Sequence, residues 1–119
     1  MAAAMAPRML APVNARNPDI VEHVRAIMAF TPVNGYVGDV LGLAARPDST
    51  PTLAHITCPT LIVVGEEDAL APPADSQMMA QMIEGAQLVI IPNAGHLSPI
   101  EQPEAFSTAV ADFARALSN

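Results

Sequence analysis

The chain is poor in charged and aromatic side chains. Charged residues make up 14% of its 119 residues, and it has three Phe, one Tyr and no Trp, so its core must be built from aliphatic side chains. Twelve acidic residues against five basic ones give a net charge of −7, which argues against nucleic acid or an anionic membrane as a partner. The hydrophobic content of 51% is high for so short a chain and predicts that some apolar surface faces a partner.

Cysteine and long apolar runs are also scarce. The single Cys58 cannot form an internal disulfide, and no cysteine–histidine spacing suggests a zinc site. No apolar stretch approaches the ~18 residues that a membrane-spanning helix needs. Residues 1–12 lack the order of charged region, apolar region and cleavage site that marks a signal peptide. We therefore expect a cytoplasmic protein that binds no metal and no membrane.

The chain divides into two parts at a polar segment with two prolines, residues 46–51, which is the strongest linker signal present. Residues 1–52 have a helical pattern, and residues 53–119 have the pattern β-α-β-α. The length allows one domain with a modest core. We expect both parts to form a single compact domain.

The helical part contains one well-marked helix start. Asn17 is a capping residue, Pro18 suits the first helical position, and Asp19 places an acid in the first turn. One face is predicted to be apolar, because apolar residues follow at helical spacing: Ile20, Val24, Ile27 and Met28. A second helix is predicted over residues 34–46, although each glycine inside it costs about 1 kcal/mol relative to alanine.

The second part contains two predicted strands with a helix between them. Residues 60–64 form a continuous apolar run rich in β-branched side chains, as in a parallel strand that is covered on both faces. Residues 73–84 are predicted to be a helix that stops at Gly85. Residues 87–91 form the second strand. This order predicts a parallel β-α-β unit.

A last helix is predicted to start at a capping box. Ser98 would be the N-cap, Pro99 the first helical residue and Glu101 the reciprocal partner of the cap. The helix should continue to Leu117 with an adjustment at Pro103.

Two side chains with catalytic chemistry follow the two predicted strands. Asp68 lies just beyond the first strand, and His96 lies just beyond the second. Adjacent parallel strands are about 4.8 Å apart and end at the same edge of a sheet, so these two side chains can meet. An aspartate that orients a histidine provides two of the three members of a hydrolytic triad.

Four separated segments together carry a family resemblance. They are residues 57–68 (TCPTLIVVGEED), 72–73 (PP), 92–96 (PNAGH) and 101–104 (EQPE). In this order they resemble the C-terminal part of an α/β-hydrolase, and most closely the esterase and enol-lactonase branch. The resemblance implies a truncated α/β-hydrolase fold in which residues 1–52 are a cap-like segment and residues 53–119 are the end of the sheet. It also implies Asp68 as the triad acid, His96 as the triad base, an ester or lactone substrate and no cofactor.

The third member of such a triad is missing from the sequence. A nucleophile elbow would have the form G-x-S-x-G, and this chain contains none. Ser76 lies in the first turn of a predicted helix, where a developing negative charge is favoured. Ser98 is close to His96 in sequence but has a predicted capping role, and Ser49 lies in the linker.

The strand at residues 60–64 is expected to have one unpaired edge, because the family's preceding strands are not in this chain. Exposed edges of this kind pair with other chains. We expect a symmetric homodimer in which this strand pairs with its own copy to complete a four-stranded sheet.

Three kinds of function are compatible with the sequence. The first is a small hydrolase that acts on esters or lactones through Asp68 and His96, with an unidentified nucleophile or an activated water. The second is a catalytically inactive, self-associating fragment. The third is one half of a split hydrolase that needs an N-terminal partner.

Overall fold

The computed structural model of the protein describes residues 5–30 and 32–118. Its strands are β1 (Leu61–Gly65) and β2 (Gln87–Ile91). Its α-helices are α1 (Pro18–Ala29), α2 (Val33–Ala45), α3 (Pro73–Met82), α4 (Ser98–Glu101) and α5 (Pro103–Leu117). Short 3-10 helices span Ala6–Met9, Asn14–Arg16 and Thr50–His55. None of the helices in the described ranges is long and apolar enough to cross a membrane.

The two strands form a parallel pair, and α3 is the crossover between them. Their register places Leu61 opposite Gln87 and Gly65 opposite Ile91. The predicted strand bounds are confirmed to within one residue. In the part of the chain that the structure describes, neither strand has a second neighbour, so both outer edges of the sheet are unpaired.

The predicted start of α1 is confirmed. The side chain of Asn17 accepts a hydrogen bond of 3.0 Å from the backbone N–H of Asp19, which satisfies one of the free donors at the helix end. Val21 and Val24 are the buried residues of this helix. Ile27, expected on the buried face, is about half exposed.

The predicted capping box is wrong in its details. Ser98 is already inside α4, and the residue before it, Leu97, makes no capping hydrogen bond with its side chain. The helical segment is also broken at Gln102, which has φ −138° and ψ 64°. Pro103 explains the break, because a residue that precedes proline is driven away from helical backbone angles.

Buried apolar side chains form a small core between α1 and the residues before it, 6–16, which we call the N-terminal segment. Its centre is a cluster formed by Ala6, Leu10, Val21 and Val24. In the sheet only Val64, Gly65 and Ile91 are buried, so β1 is less covered than its continuous apolar run predicts. Helix α2 has no buried residue among its described positions.

The surface of the chain is large for its length. The radius of gyration is 16.0 Å, whereas a compact domain of this length has about 13.5 Å. The accessible surface is 7959 Å², whereas a compact monomer of this mass exposes about 6,100 Å². The excess, about 1,800 Å², is at least the area that one partner buries in an ordinary protein–protein interface.

Candidate active site

The loop that follows β1 is tied to the loop that follows β2. The backbone N–H of Glu66 donates to the carbonyl oxygen of Ile91, and that of Glu67 donates to Ala94, both at 2.9 Å. The N–H of Asp68 donates back to Gly65 at 3.2 Å, which closes a tight turn. These bonds bring Asp68 to the same edge of the sheet as the residues after β2.

Gly65 makes this close approach possible. A Cβ atom at this position would lie 2.6 Å from the carbonyl carbon of Ala94, and it would be closer still to the carbonyl oxygens of Ala94 and Gly95. Any side chain here would push the two loops apart. The glycine is therefore required by the packing of one loop on the other.

The structure brings together the two residues that the sequence singles out. The ring Nδ1 of His96 is 2.9 Å from Oδ2 of Asp68. The other carboxylate oxygen, Oδ1, accepts hydrogen bonds of 2.9 Å from the backbone N–H groups of Leu70 and Ala71. The carboxylate is thus held from both sides, and Asp68 is only 7% exposed.

The environment of Asp68 favours its ionised form. Burial alone would raise the pKa of this carboxyl group. The hydrogen bonds from Ala71, the His96 ring and Leu70, together with the charge of a protonated His96, outweigh that effect and hold the pKa below its ordinary value of 3.8. An ionised carboxylate can only accept hydrogen bonds, so Nδ1 of His96 carries the proton. A neutral His96 ring then has a free lone pair on Nε2.

The His96 ring is partly exposed to solvent. The His96 side chain is 38% exposed although its Asp68 partner is buried. Within the described residues the ring has no hydrogen-bond partner other than Asp68. Because Nδ1 faces the buried Asp68, Nε2 is the ring nitrogen that remains available to another group, as a general base requires.

The N-terminal segment also contacts this site, which the sequence does not predict. The backbone N–H of His96 donates to the carbonyl oxygen of Met9 at 2.8 Å. The residues after Met9 lie so close to the histidine loop that a Cβ atom at Gly95 would be 2.7 Å from the backbone nitrogen of Ala11. Residues 9–11 are therefore packed directly on the histidine loop.

Glu101 is the second residue whose role the sequence does not reveal. Its side chain accepts hydrogen bonds from the backbone N–H groups of Gly95 (2.8 Å), Leu97 (3.2 Å) and Ala11 (2.7 Å), and from Nδ2 of Asn14 (2.9 Å). In place of the expected bond to the N–H of Ser98, Glu101 thus binds the N–H of Leu97, the residue before α4. The contacts with Ala11 and Asn14 leave no local signal in the sequence, because those residues are 90 and 87 positions away.

The three candidate serines do not complete the pair. Ser76 and Ser98 are buried, and Ser49 is exposed in the segment before the Thr50–His55 helix. No hydroxyl group in the described ranges forms a hydrogen bond with His96. Over the same residues, no group of three or more His, Cys, Asp or Glu side chains is placed to hold a metal ion.

Comparison with known proteins assigns the family. Residues 1–109 match the model of the alpha/beta hydrolase family. The chain therefore belongs to this family, which agrees with its parallel sheet and with the positions of Asp68 and His96 after the two strands.

Several members of the family are similar to the chain over most of its length. 3-Oxoadipate enol-lactonase 1 of Acinetobacter baylyi is 34% identical over 102 residues, which are 86% of this chain and 38% of that protein. A thermophilic esterase from Thermogutta terrifontis superposes with a TM-score of 0.93 at 40% identity, over 99% of this chain and 44% of the esterase. The enol-lactonase from Burkholderia xenovorans superposes with a TM-score of 0.86 at 33% identity, over 96% of this chain and 44% of that enzyme.

The chain spans less than half the length of each of these relatives. It matches 38% of the enol-lactonase sequence and 44% of either solved enzyme. The chain thus corresponds to a short portion of the α/β-hydrolase fold, and its described residues contain a two-stranded parallel sheet.

Proposed function

We propose that this chain takes part in the hydrolysis of carboxylic esters or lactones, with His96 as the general base and Asp68 as the residue that orients it. The observation that supports this most strongly is the 2.9 Å contact between Nδ1 of His96 and the buried carboxylate of Asp68. Similarity to an esterase and to enol-lactonases supports the substrate class.

The pair would move one proton in each half of the reaction. Nε2 of His96 takes the proton from a hydroxyl group or water as its oxygen bonds to the substrate carbonyl carbon. The imidazolium that forms is stabilised by the charge of Asp68. It then returns the proton to the alcohol oxygen that leaves when the ester bond breaks. In enzymes, proton transfer by a positioned side chain contributes about 10²- to 10⁴-fold in rate.

We further propose that residues 1–52 act as a cap-like segment next to this site. Met9 and Ala11 already contact the histidine loop, which supports a position at the entrance of the site. A cytoplasmic location is part of the proposal and is supported by the single Cys58.

Reaction with a fluorophosphonate tests this proposal, because such probes label hydroxyl nucleophiles that a nearby base activates. If the nucleophile is a hydroxyl group of the chain, we expect one labelled side chain per active site, located by peptide mass spectrometry, with labelling at least about 10²-fold slower in His96→Ala. If it is a water molecule, we expect no labelling. His55→Ala is the matched control, since His55 is also exposed but lies outside the site. Labelling that is equally fast in His96→Ala would overturn the proposal.

A second candidate is that the hydrolytic site is complete only in an assembly. The excess surface of about 1,800 Å² and the unpaired edge of β1 support a symmetric homodimer through residues 60–64. The same surface would also suit an N-terminal half of a split hydrolase. An inactive, self-associating fragment is the remaining alternative.

Light scattering distinguishes these assemblies. A dimer at micromolar concentration that becomes monomeric in Ile62→Lys would support pairing through β1, because a lysine on an edge strand opposes association. Val110→Lys is the control, since Val110 is exposed on α5. A wild-type monomer would refute the homodimer. Fluorophosphonate labelling that appears only after an N-terminal hydrolase segment is added would favour the split enzyme.

A further inference from the structure

Glu101 is a buried acid outside the Asp68–His96 pair. It is 5% exposed, and its four hydrogen-bond partners in the described residues are all N–H donors. None of these partners is a basic side chain. The carboxylate is therefore stabilised by peptide and amide dipoles instead of by an ion pair.

The two oxygen atoms of this carboxylate bind different parts of the chain. Oε1 accepts hydrogen bonds from the backbone N–H groups of Gly95 and Leu97, the two residues that flank His96. Oε2 accepts hydrogen bonds from the backbone of Ala11 and from the side chain of Asn14. One carboxylate thus connects the histidine loop to the N-terminal segment.

Further hydrogen bonds strengthen the same connection. The N–H of His96 donates to the carbonyl oxygen of Met9. The side chain of Asn14 also donates to the carbonyl oxygen of Asn93 at 2.9 Å, and Asn93 has the left-handed backbone angle φ 54°. The backbone is therefore held before, at and after His96, whereas among the described residues the imidazole ring forms a hydrogen bond with Asp68 alone.

We propose that Glu101 is a positioning residue that holds His96 in the orientation that pairs it with Asp68. Because it binds both neighbours of His96, Glu101 determines where the backbone of the histidine lies relative to Asp68. Because its other oxygen binds Ala11 and Asn14, docking of the N-terminal segment and alignment of the histidine are coupled. The catalytic meaning of this role rests on the proposed function, but the alignment itself can be measured without any reaction.

Glu101→Gln is the sharpest perturbation, because it changes the shape of the side chain very little. A glutamine offers one carbonyl oxygen and one NH₂ group. All four partners are donors, so either orientation of the amide turns an NH₂ group toward two N–H groups. Glu104→Gln is the matched control, since Glu104 is exposed three residues further along.

The readout is the tautomer of the His96 ring, measured by two-bond ¹H–¹⁵N spectra of the full chain at about pH 9, where imidazole is neutral. In the wild type we expect the Nδ1–H form at His96, whereas the exposed His23 and His55 serve as internal references for free rings. In Glu101→Gln the Nδ1–H fraction should fall by at least half toward those references, with helix content by circular dichroism unchanged. Glu104→Gln should keep the wild-type spectrum.

A folded Glu101→Gln protein with an unchanged His96 ring would overturn the proposal. If this variant unfolds, Asn14→Ala provides the test, because it removes one donor to Oε2 and leaves the carboxylate in place. Asn14→Ala should shift the tautomer fraction in the same direction by a smaller amount, and an unchanged ring in that folded variant would also overturn the proposal. A wild-type His96 without the Nδ1–H form would instead contradict the Asp68–His96 pair itself, so the two failures are distinguishable.

Discussion

Replacement of Gly65 by alanine should separate the two loops that form the site. The added Cβ would lie 2.6 Å from the carbonyl carbon of Ala94, and its neighbours are backbone atoms that cannot rotate away. Relief requires the loops to move apart by roughly 1 Å, and overpacking of this kind typically costs about 1–3 kcal/mol. The movement also strains the hydrogen bond from Glu67 to Ala94, which is worth about 1 kcal/mol.

We therefore expect Gly65→Ala to lower the free energy of unfolding by about 3 kcal/mol. Gly42→Ala is the matched control. It makes the same chemical change on α2, where the new Cβ would have no described atom within 4 Å other than those of its chain neighbours and the nearby helix backbone. That substitution should raise the free energy of unfolding by about 0.5–1 kcal/mol, since glycine inside a helix is unfavourable.

Urea unfolding followed by circular dichroism at 222 nm measures both effects. With a slope of about 1–3 kcal/mol per molar urea, the midpoints of the two variants should differ by more than about 1 M. A Gly65→Ala protein that is already unfolded without urea, beside a folded Gly42→Ala protein, would also be consistent with the clash at residue 65. A loss of less than about 1 kcal/mol in Gly65→Ala, with the Asp68–His96 contact intact, would show that the two loops do not meet at this residue.

Helix capping, core packing and the Asp68 carboxylate can each be tested with one substitution. Asn17→Ala removes the side-chain cap of α1 and should cost about 1 kcal/mol in urea unfolding; an unchanged midpoint would contradict the capping role. Ile91→Ala truncates a side chain that is 1% exposed and should lower the free energy of unfolding by about 2–5 kcal/mol in the same assay. A loss under about 1 kcal/mol would show that β2 is not packed as described. Because the pKa of Asp68 is below 3.8 in the folded protein, its contribution to stability is complete above that pH and is lost as the pH falls through the folded pKa. In Asp68→Asn, the free energy of unfolding should therefore fall less steeply with decreasing pH below about pH 4 than it does in the wild type. Parallel pH dependences of the two proteins would contradict the lowered pKa.

Local sequence patterns predict the secondary structure well where they are strong. The strand at residues 87–91 is predicted and observed with the same bounds, because a continuous apolar run there lies between Gly85 and Pro92. The start of α1 is equally clear, because Asn17 and Pro18 both favour a helix N-terminus. Parallel strand geometry predicts that Asp68 and His96 can meet, and the structure has them in contact.

Contacts between distant parts of the chain are not predictable in this way. Glu101 has the spacing of a capping box, but its main partners include Ala11 and Asn14, which only the folded chain brings near. The sequence pattern also predicts more burial of β1 than the structure has. Its apolar run is typical of a strand covered on both faces, whereas only Val64 and Gly65 are buried in this chain.

We propose His96, oriented by Asp68, as the base of an ester- or lactone-hydrolysing site. The most direct test is the initial rate of hydrolysis of a short-chain p-nitrophenyl ester and of a small lactone by the purified chain, by His96→Ala and by the control His55→Ala. We expect kcat/KM to fall by at least about 10²-fold in His96→Ala and to stay unchanged in His55→Ala. Equal turnover by all three proteins would show that His96 is not the base.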